Sequence, residues 1–406
     1  MSADYDVLVA GGGLVGASLA CALGGSGLRV AVVEAVALDA ADQPSYDDRS
    51  VALAWGSRRI FEGMGLWRDI CARGACPIHR IHVSDRGRPG FARLAREDMG
   101  VPALGYVVEN RVLGAALAAG MGERAGVTLF CPARLVGVEV ASAGVALRLE
   151  GAPDCRARLL VVADGGRSPA REWLGLAVRE VDYRQSAVVA NVTPGRPHHH
   201  VAYERFTPSG PLALLPLTGG RCALVWSLPP AEARAAADLP AGVFLDRLGP
   251  AFGDRLGGFR RVGRRAVYPL KRVEVEPPVR PRAVFVGNAA HAVHPVAGQG
   301  FNLGLRDVAV LAELLVDAHR RGEDLGGAPL LGEYARRRRR DLRATTWFTD
   351  GLVRVFTHPW APVAAGRDLG LLAVDLVPPL RRALLRRSMG LAGPLPRLAR
   401  GLALSP

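Results

Sequence analysis

Tyr5-Asp6-Val7-Leu8-Val9-Ala10-Gly11-Gly12-Gly13-Leu14-Val15-Gly16 is the stretch that decides the fold. The run up to Ala10 reads as a short buried strand, and residues 17–23 continue as a helix of small and apolar side chains. Between them lies GxGxxG in its strand–turn–helix setting. Gly11 makes the turn, Gly13 admits a pyrophosphate, and Gly16 lets the helix pack on the sheet. A second strand over residues 29–33 ends at Glu34, the spacing of a carboxylate that binds the ribose hydroxyls of an adenine dinucleotide. This pattern predicts an α/β domain of the Rossmann type and leaves open whether the dinucleotide carries nicotinamide or flavin.

Further along, residues 282–307 repeat the logic at larger scale. Val284, Phe285 and Val286 form an apolar run, and a loop containing His294, Pro295, Gly298 and Gly300 follows. The two glycines let backbone approach a flat ligand without Cβ collisions. Beyond Phe301 and Asn302, the spacing of Leu303, Leu305, Val308, Leu311, Leu314 and Leu315 predicts a helix with a broad apolar face. Its N-terminus turns backbone N–H groups toward whatever the loop holds. A loop of this length and apolarity suits a ring system better than a bare phosphate.

Other segments fill in the plan. Residues 159–163 are a continuous apolar run that meets Asp164-Gly165-Gly166-Arg167-Ser168, and nucleotide sites lie at such carboxyl ends of parallel strands. Arg49 follows Asp47 and Asp48 and precedes an apolar helix; it reads as a phosphate clamp or as one half of a surface ion pair. Glu109-Asn110-Arg111 opens a helix running to about Ala119. Residues 186–275 change character, with short strands separated by Pro and Gly turns and one helix at about 241–248, which predicts an inserted antiparallel sheet. His198, His199 and His200 are adjacent on a strand, so they cannot all converge on one metal ion, and no metal site is expected.

The formal net charge of +14, carried mostly by arginine, comes with no nucleic-acid-binding signature, so nucleic acid is not an expected partner; an anionic membrane surface or plain solvation accounts for the charge. The five arginines Arg336–Arg340 read as one solvated helix face. Residues 381–400, with six arginines and no acid among leucines, read either as an interfacial amphipathic helix or as a helix packed on the body. The six cysteines show no CxxC pair and read as inert core thiols of a reducing cytoplasm. Glycines interrupt the first apolar run, so it is not a signal peptide, and no stretch has the length of a transmembrane helix. The expected location is cytoplasmic, with peripheral contact at the inner face of the membrane left open.

Together these motifs give the chain a resemblance to the aromatic flavoprotein monooxygenases built like para-hydroxybenzoate hydroxylase, and within them to the ubiquinone-biosynthesis hydroxylases. Three motifs carry it in order: Gly11–Gly16 with Glu34, Asp164-Gly165 with Arg167-Ser168, and Gly287-Asn288 with His294 through Asp307. Val108-Glu109-Asn110, Glu204-Arg205-Phe206-Thr207 and Thr349-Asp350-Gly351-Leu352 extend it over almost the whole length. The wider family has Gly-Asp where this chain has Gly287-Asn288, and the ubiquinone branch shares that Asn, which loses a charge but keeps hydrogen-bonding capacity.

The resemblance implies noncovalent FAD, NAD(P)H as electron donor and O2 as co-substrate. It implies Gly11, Gly13 and Gly16 around the pyrophosphate, Glu34 on the ribose, Arg49 and Asn110 at the phosphate–ribityl region, Asp164 in a motif shared by FAD and NAD(P)H binding, Asn288 at the ribityl chain, and Gly300, Phe301 and Asn302 along the isoalloxazine. The chemistry it implies is attack of an electron-rich polyprenyl methoxyphenol on a flavin C4a-hydroperoxide. No general base stands out. His294 and Pro295 are the substrate-face candidates, although His294 reads more readily as a structural histidine bonding the loop backbone. Hydroxylation of another ring position or another aromatic, or a non-catalytic flavin-binding subunit of a quinone-making complex, are the competing readings. The implied division is an FAD-binding domain over 1–75, 101–180 and 279–340, a substrate domain over 76–100 and 181–278, and a helical region over 341–406.

Overall fold

The strand Tyr5–Ala10 sits inside a parallel array, flanked by Val30–Val33 and Val127–Phe130 on one side and by Cys155–Val162 and Ala283–Phe285 on the other. The computed structural model describes residues 3–38, 49–358 and 360–404, so Asp47 and Asp48 lie outside the described residues. Alternation along these strands divides them between two apolar cores. Val7, Val9, Val32, Val161 and Val284 face the helices Leu14–Leu23 and Gln299–Arg320. Leu8, Ala31, Leu160 and Phe285 face an antiparallel meander, Arg134–Ala141 and Gly144–Glu150. Burial on both faces is why residues 7–10, 30–33, 159–162 and 283–285 are apolar without interruption.

A second sheet, of nine strands among the described residues, has the sixteen-residue strand Arg179–Pro194 near its centre. Its pairings are antiparallel except that Val201–Thr207 runs parallel to Arg80–Asp85. One face, carrying Val188, Leu212, Leu214, Leu224 and Trp226, is covered by two helices, Pro230–Asp238 and Ala241–Phe252. Two helices thus stand where the sequence led us to expect one. Pro230–Asp238 has too many alanines and charges to show an apolar period, and Ala233 and Ala236 alone bury it. The other face of the sheet is turned toward the first sheet's loops.

Between the two lies a small antiparallel sheet, Gly105–Glu109 flanked by Ser50–Ala54 and Ala75–Ile78. The segment after Arg49 is therefore a strand before it becomes the helix Trp55–Gly63. The architecture is a mixed α/β fold of the para-hydroxybenzoate hydroxylase type, closed by three C-terminal helices, Ala328–Thr357, Ala361–Leu376 and Pro378–Ser388.

Two expectations for this end need correction. The helix expected over residues 381–400 stops at Ser388, and Leu385, Met389 and Leu398 are buried against the body. Nor is the arginine run one solvated face. Arg338 is 4% exposed and donates to Asp307 at 2.6 Å.

Candidate cofactor and substrate site

The parallel strands end in three loops that meet. At the first, Gly11 has φ +103°, and a Cβ there would stand 2.5 Å from the Ala163 carbonyl oxygen. A Cβ on Gly16 would stand 1.9 Å from the Gly11 carbonyl oxygen. Only glycine lets the turn, the helix and the Ala163–Asp164 backbone approach this closely. Gly13 is the N-cap of Leu14–Leu23, whose first turn carries no acidic residue and no side-chain cap. The free N–H groups at the end of that helix have the charge and direction that suit an anion. Glu34 is fixed beside it: its Oε2 accepts the Gly12 N–H at 2.7 Å and its Oε1 the Val36 N–H at 2.9 Å. Each carboxylate oxygen keeps a further lone pair for a hydroxyl donor.

At the second loop, Asp164 Oδ2 accepts from Ser168 Oγ at 2.8 Å, while its Oδ1 is buried with no hydrogen-bond partner among the described residues. Burial pushes this carboxyl above its ordinary value, against the pull of the Ser168 hydrogen bond. A buried acceptor without a donor is costly unless a ligand supplies one. Arg171 is a residue the sequence reading missed. Its guanidinium donates to the Gly166 carbonyl and, at 3.5 Å, to Ala289, so it ties this loop to the third.

That third loop is the turn Gly287–Ala289, where Gly287 has φ +57°. Asn288 is exposed on it. The Gly287 N–H donates to Asp307 Oδ2 at 2.9 Å, and Cβ atoms on Gly287 and Gly304 would meet Val15 at 3.0 and 2.9 Å. Val15 of the first glycine motif therefore wedges between two glycines of the last. Asp307 also accepts from His291 Nε2 at 2.7 Å and from Arg338 Nε at 2.6 Å. Burial alone would raise this carboxyl, but His291 and Arg338 outweigh it and hold it at about 2. Arg338 in turn reaches Asp341, which also pairs with Arg306. A buried ionic chain thus backs the turn and the helix that follows it.

Beyond the turn, the loop to Gln299 borders a cavity of about 390 Å³. Pro295, Gly298, Gly300, Phe301 and Asn302 line it together with the strand Ser50–Ala54, the uncovered face of the second sheet and the C-terminal helices. Asn302 is the staple that shapes this edge. Its Oδ1 accepts from the Ala54 N–H at 2.9 Å and Ser57 Oγ at 2.6 Å, and its Nδ2 donates to the Ala52 and Gly298 carbonyls at 2.8 and 2.7 Å. With all of these made, the side chain holds the loop and leaves backbone to the cavity.

His294 is fully buried and is not part of the cavity lining. Its Nδ1 accepts the Val296 N–H at 3.2 Å, which leaves Nε2 to donate to Gln185 Oε1 at 3.3 Å. Burial lowers its pKa to about 4, so the imidazole stays neutral at physiological pH. It is placed as a structural histidine of the loop, while Pro295 faces the cavity. Arg49 and Asn110 come together at one edge: the Asn110 N–H donates to the Arg49 carbonyl at 2.7 Å, and the Arg49 guanidinium lies 5.1 Å from the Tyr268 ring centre. Glu204 lines the cavity and was not singled out from sequence except as part of a motif. The signal was available, because Glu204 alternates with Ala202 and Phe206 and so shares their apolar face.

The chain is similar to known proteins over most of its length. The family described as FAD binding domain matches residues 4–349. The ubiquinone hydroxylase UbiL of Rhodospirillum rubrum is 43% identical over 402 residues, covering 98% of this chain and 93% of its own. The 3-demethoxyubiquinol 3-hydroxylase of Escherichia coli is 33% identical, with 95% and 98% of the two chains covered. The human mitochondrial ubiquinone biosynthesis monooxygenase COQ6 is 31% identical, with 94% and 92% covered. Among solved structures, p-nitrophenol 4-monooxygenase PnpA of Pseudomonas putida superposes with a TM-score of 0.79 at 20% identity, over 96% of this chain and 99% of that one, a likeness of fold.

Proposed function

Because the chain belongs to the ubiquinone-biosynthesis hydroxylases, FAD-dependent monooxygenases acting on an aromatic ring, we propose that its substrate is a polyprenyl methoxyphenol and that it draws on O2 and on electrons from NAD(P)H. The observation that carries this reading is the 390 Å³ cavity, lined almost wholly by apolar side chains and bordered by the Pro295–Asn302 edge. It suits a substituted ring with the start of an isoprenoid tail, and it suits little that is charged.

The residues present fit FAD. The glycine floor at Gly11, Gly13 and Gly16 would take the pyrophosphate, Glu34 the ribose hydroxyls, and the unpartnered Asp164 Oδ1 a hydroxyl or N–H of the bound group. Arg49 and Asn110 would serve the phosphate–ribityl region, Asn288 the ribityl chain, and the backbone of Gly300, Phe301 and Asn302 the isoalloxazine edge. When bound, FAD supplies the two-electron and O2 chemistry that places one oxygen atom on the ring. The protein's own part is orientation and dryness. Asn302 and His294 hold the loop, and Pro295 with Val296 keeps water from the reacting edge. A deletion strain profiled by mass spectrometry should accumulate the unhydroxylated polyprenyl methoxyphenol and lack the later quinones. A normal quinone profile would refute the assignment, and a different accumulated precursor would move the hydroxylated position.

We further propose that the C-terminal helices rest on an anionic lipid surface. No helix among the described residues is long and apolar enough to cross a membrane. Yet the helices whose inner faces line the cavity through Leu371, Val374 and Leu384 leave Trp360, Leu369, Leu376 and Leu380 exposed, Leu376 at 74%, with exposed Arg382, Arg386 and Arg387 nearby. Apolar side chains ringed by arginine suit the headgroup boundary of an anionic bilayer. The protein should sediment with phosphatidylglycerol vesicles far more than with phosphatidylcholine, and a Leu376→Ser, Leu380→Ser variant should lose most of that binding. Equal sedimentation of variant and parent would remove this surface from consideration.

A further inference from the structure

Among the described residues that line the cavity, Glu204 is the only charged one. It sits on the strand Val201–Thr207, in register with Ala213 on one neighbouring strand and Val83 on the other. Its carboxylate makes no ion pair and no hydrogen bond among the described residues. The charged groups of the surrounding elements are turned into pairs of their own: Asp350 with Arg272, Asp375 with Arg93, Arg367 with Asp85. His294, from the loop, is taken by Gln185, and Arg205, next along the strand, points to the opposite face of the sheet among Asp85, Arg88 and Arg255.

A lone carboxylate on an apolar wall is expensive to keep, and nothing in the packing explains it. Of the other polar side chains of the lining, Asn302 is engaged by the staple, Ser388 Oγ by the Leu384 and Leu385 carbonyls, and Gln299 by Ser388 and Arg306, while Ser50 and Tyr203 contribute neutral hydroxyls. The Tyr203 ring packs edge-on against Phe252. A phenol entering this cavity therefore finds, among the described lining residues, one carboxylate with free capacity to take a proton.

We propose that Glu204 receives the ring hydroxyl of the substrate and acts as its general base, an inference that rests on the phenol reading above. One proton moves. The substrate O–H bond breaks, its electron pair stays on the ring oxygen, and the carboxylate becomes a carboxylic acid. The added electron density raises the nucleophilicity of the ring carbon ortho or para to that oxygen. When the hydroxylated ring regains aromaticity, the hydrogen displaced from the ring carbon leaves to water and Glu204 returns its proton to the ring oxygen, so the carboxylate is regenerated. Burial pushes the Glu204 carboxyl up to about 7, which suits a group that must both take and return a proton near neutrality.

The test uses the FAD-loaded protein with a 2-methoxyphenol carrying two isoprenyl units at the 6-position. In single turnover the parent's hydroxylation rate should rise with pH through an inflection near 7. Glu204→Gln, of the same shape, should hydroxylate roughly 100-fold more slowly with that inflection gone, while its FAD content and its rate of flavin reduction by NAD(P)H match the parent and its turnover releases hydrogen peroxide. The variant should also unfold at a higher temperature than the parent above pH 7, because it removes a buried carboxylate that ionises there. A Glu204→Gln protein with the parent's rate and inflection overturns the inference and leaves the function standing. A parent that turns over no phenol overturns both.

Discussion

Gly16→Ala should purify nearly colourless, with affinity for FAD down roughly 100-fold. The added Cβ would stand 1.9 Å from the Gly11 carbonyl oxygen, and that neighbour is backbone, with no rotamer to escape into. Relief requires the turn to open. Opening it withdraws the first-turn N–H groups of Leu14–Leu23 from the position where a pyrophosphate would lie, and it loosens the Gly12 N–H that fixes Glu34. The damage therefore falls on binding more than on the core, where Val7, Leu8 and Val9 stay buried. Gly332→Ala is the control. It lies exposed on the helix Ala328–Thr357 with nothing within 4 Å of its Cβ, and it should keep its colour and gain a little helix stability. Fluorimetric FAD titration of both variants decides the matter; Gly16→Ala with the parent's affinity would mean that the glycine turn is not the pyrophosphate cradle.

The second large effect belongs to Asp307. Asp307→Ala leaves the Arg338 guanidinium buried with only Asp341 and the Leu303 carbonyl, and strips an acceptor from Gly287 and His291. Breaking a buried pair on one side costs on the order of 3 kcal/mol, measurable by urea unfolding. Removing both charges in Asp307→Ala, Arg338→Leu should return most of it, since the penalty is the uncompensated charge.

The pH dependence has a definite sign. Burial would raise the carboxyl, but His291 and Arg338 bring it to about 2 in the folded protein, below its unfolded value. The stability it contributes is therefore complete above about pH 4 and is lost as pH falls from there toward 2, by on the order of 2 kcal/mol. The stability gap between parent and double variant should follow that loss over the same interval. A gap that does not change between pH 5 and 3 would mean that Asp307 is not held down by its partners.

How legible this was depends on which residues carried a period. Gly11–Gly16 with Glu34 could be read directly, because backbone collisions permit so few residues there and the spacing to Glu34 is set by one βαβ unit. Asp164 was legible from its place at the end of an apolar run. Arg338 was not, because five consecutive arginines conceal which of them turns inward. Read along the helix, Tyr334, Arg338, the half-buried Asp341, Thr345 and Thr349 recur every three or four residues, an inward stripe written mostly in polar residues that a search for apolar periods passes over. Glu204 was hidden for the opposite reason: its strand looked ordinary, and only the sheet's other wall reveals that its face is an interior. His294 needed its partners, since a sequence cannot say whether an imidazole meets substrate or a loop N–H.

Val15 and Gly304 are in contact across 289 residues of chain, and this sets a clock on biosynthesis. At about 5–20 residues per second a ribosome takes roughly 15–60 s to travel from one to the other. Throughout that interval the glycine turn has emerged while the glycines that clasp Val15 have not been made. Until residues 283–285 are made, the apolar edge of Cys155–Val162 that pairs with them has no partner strand and must be sheltered by the nascent chain.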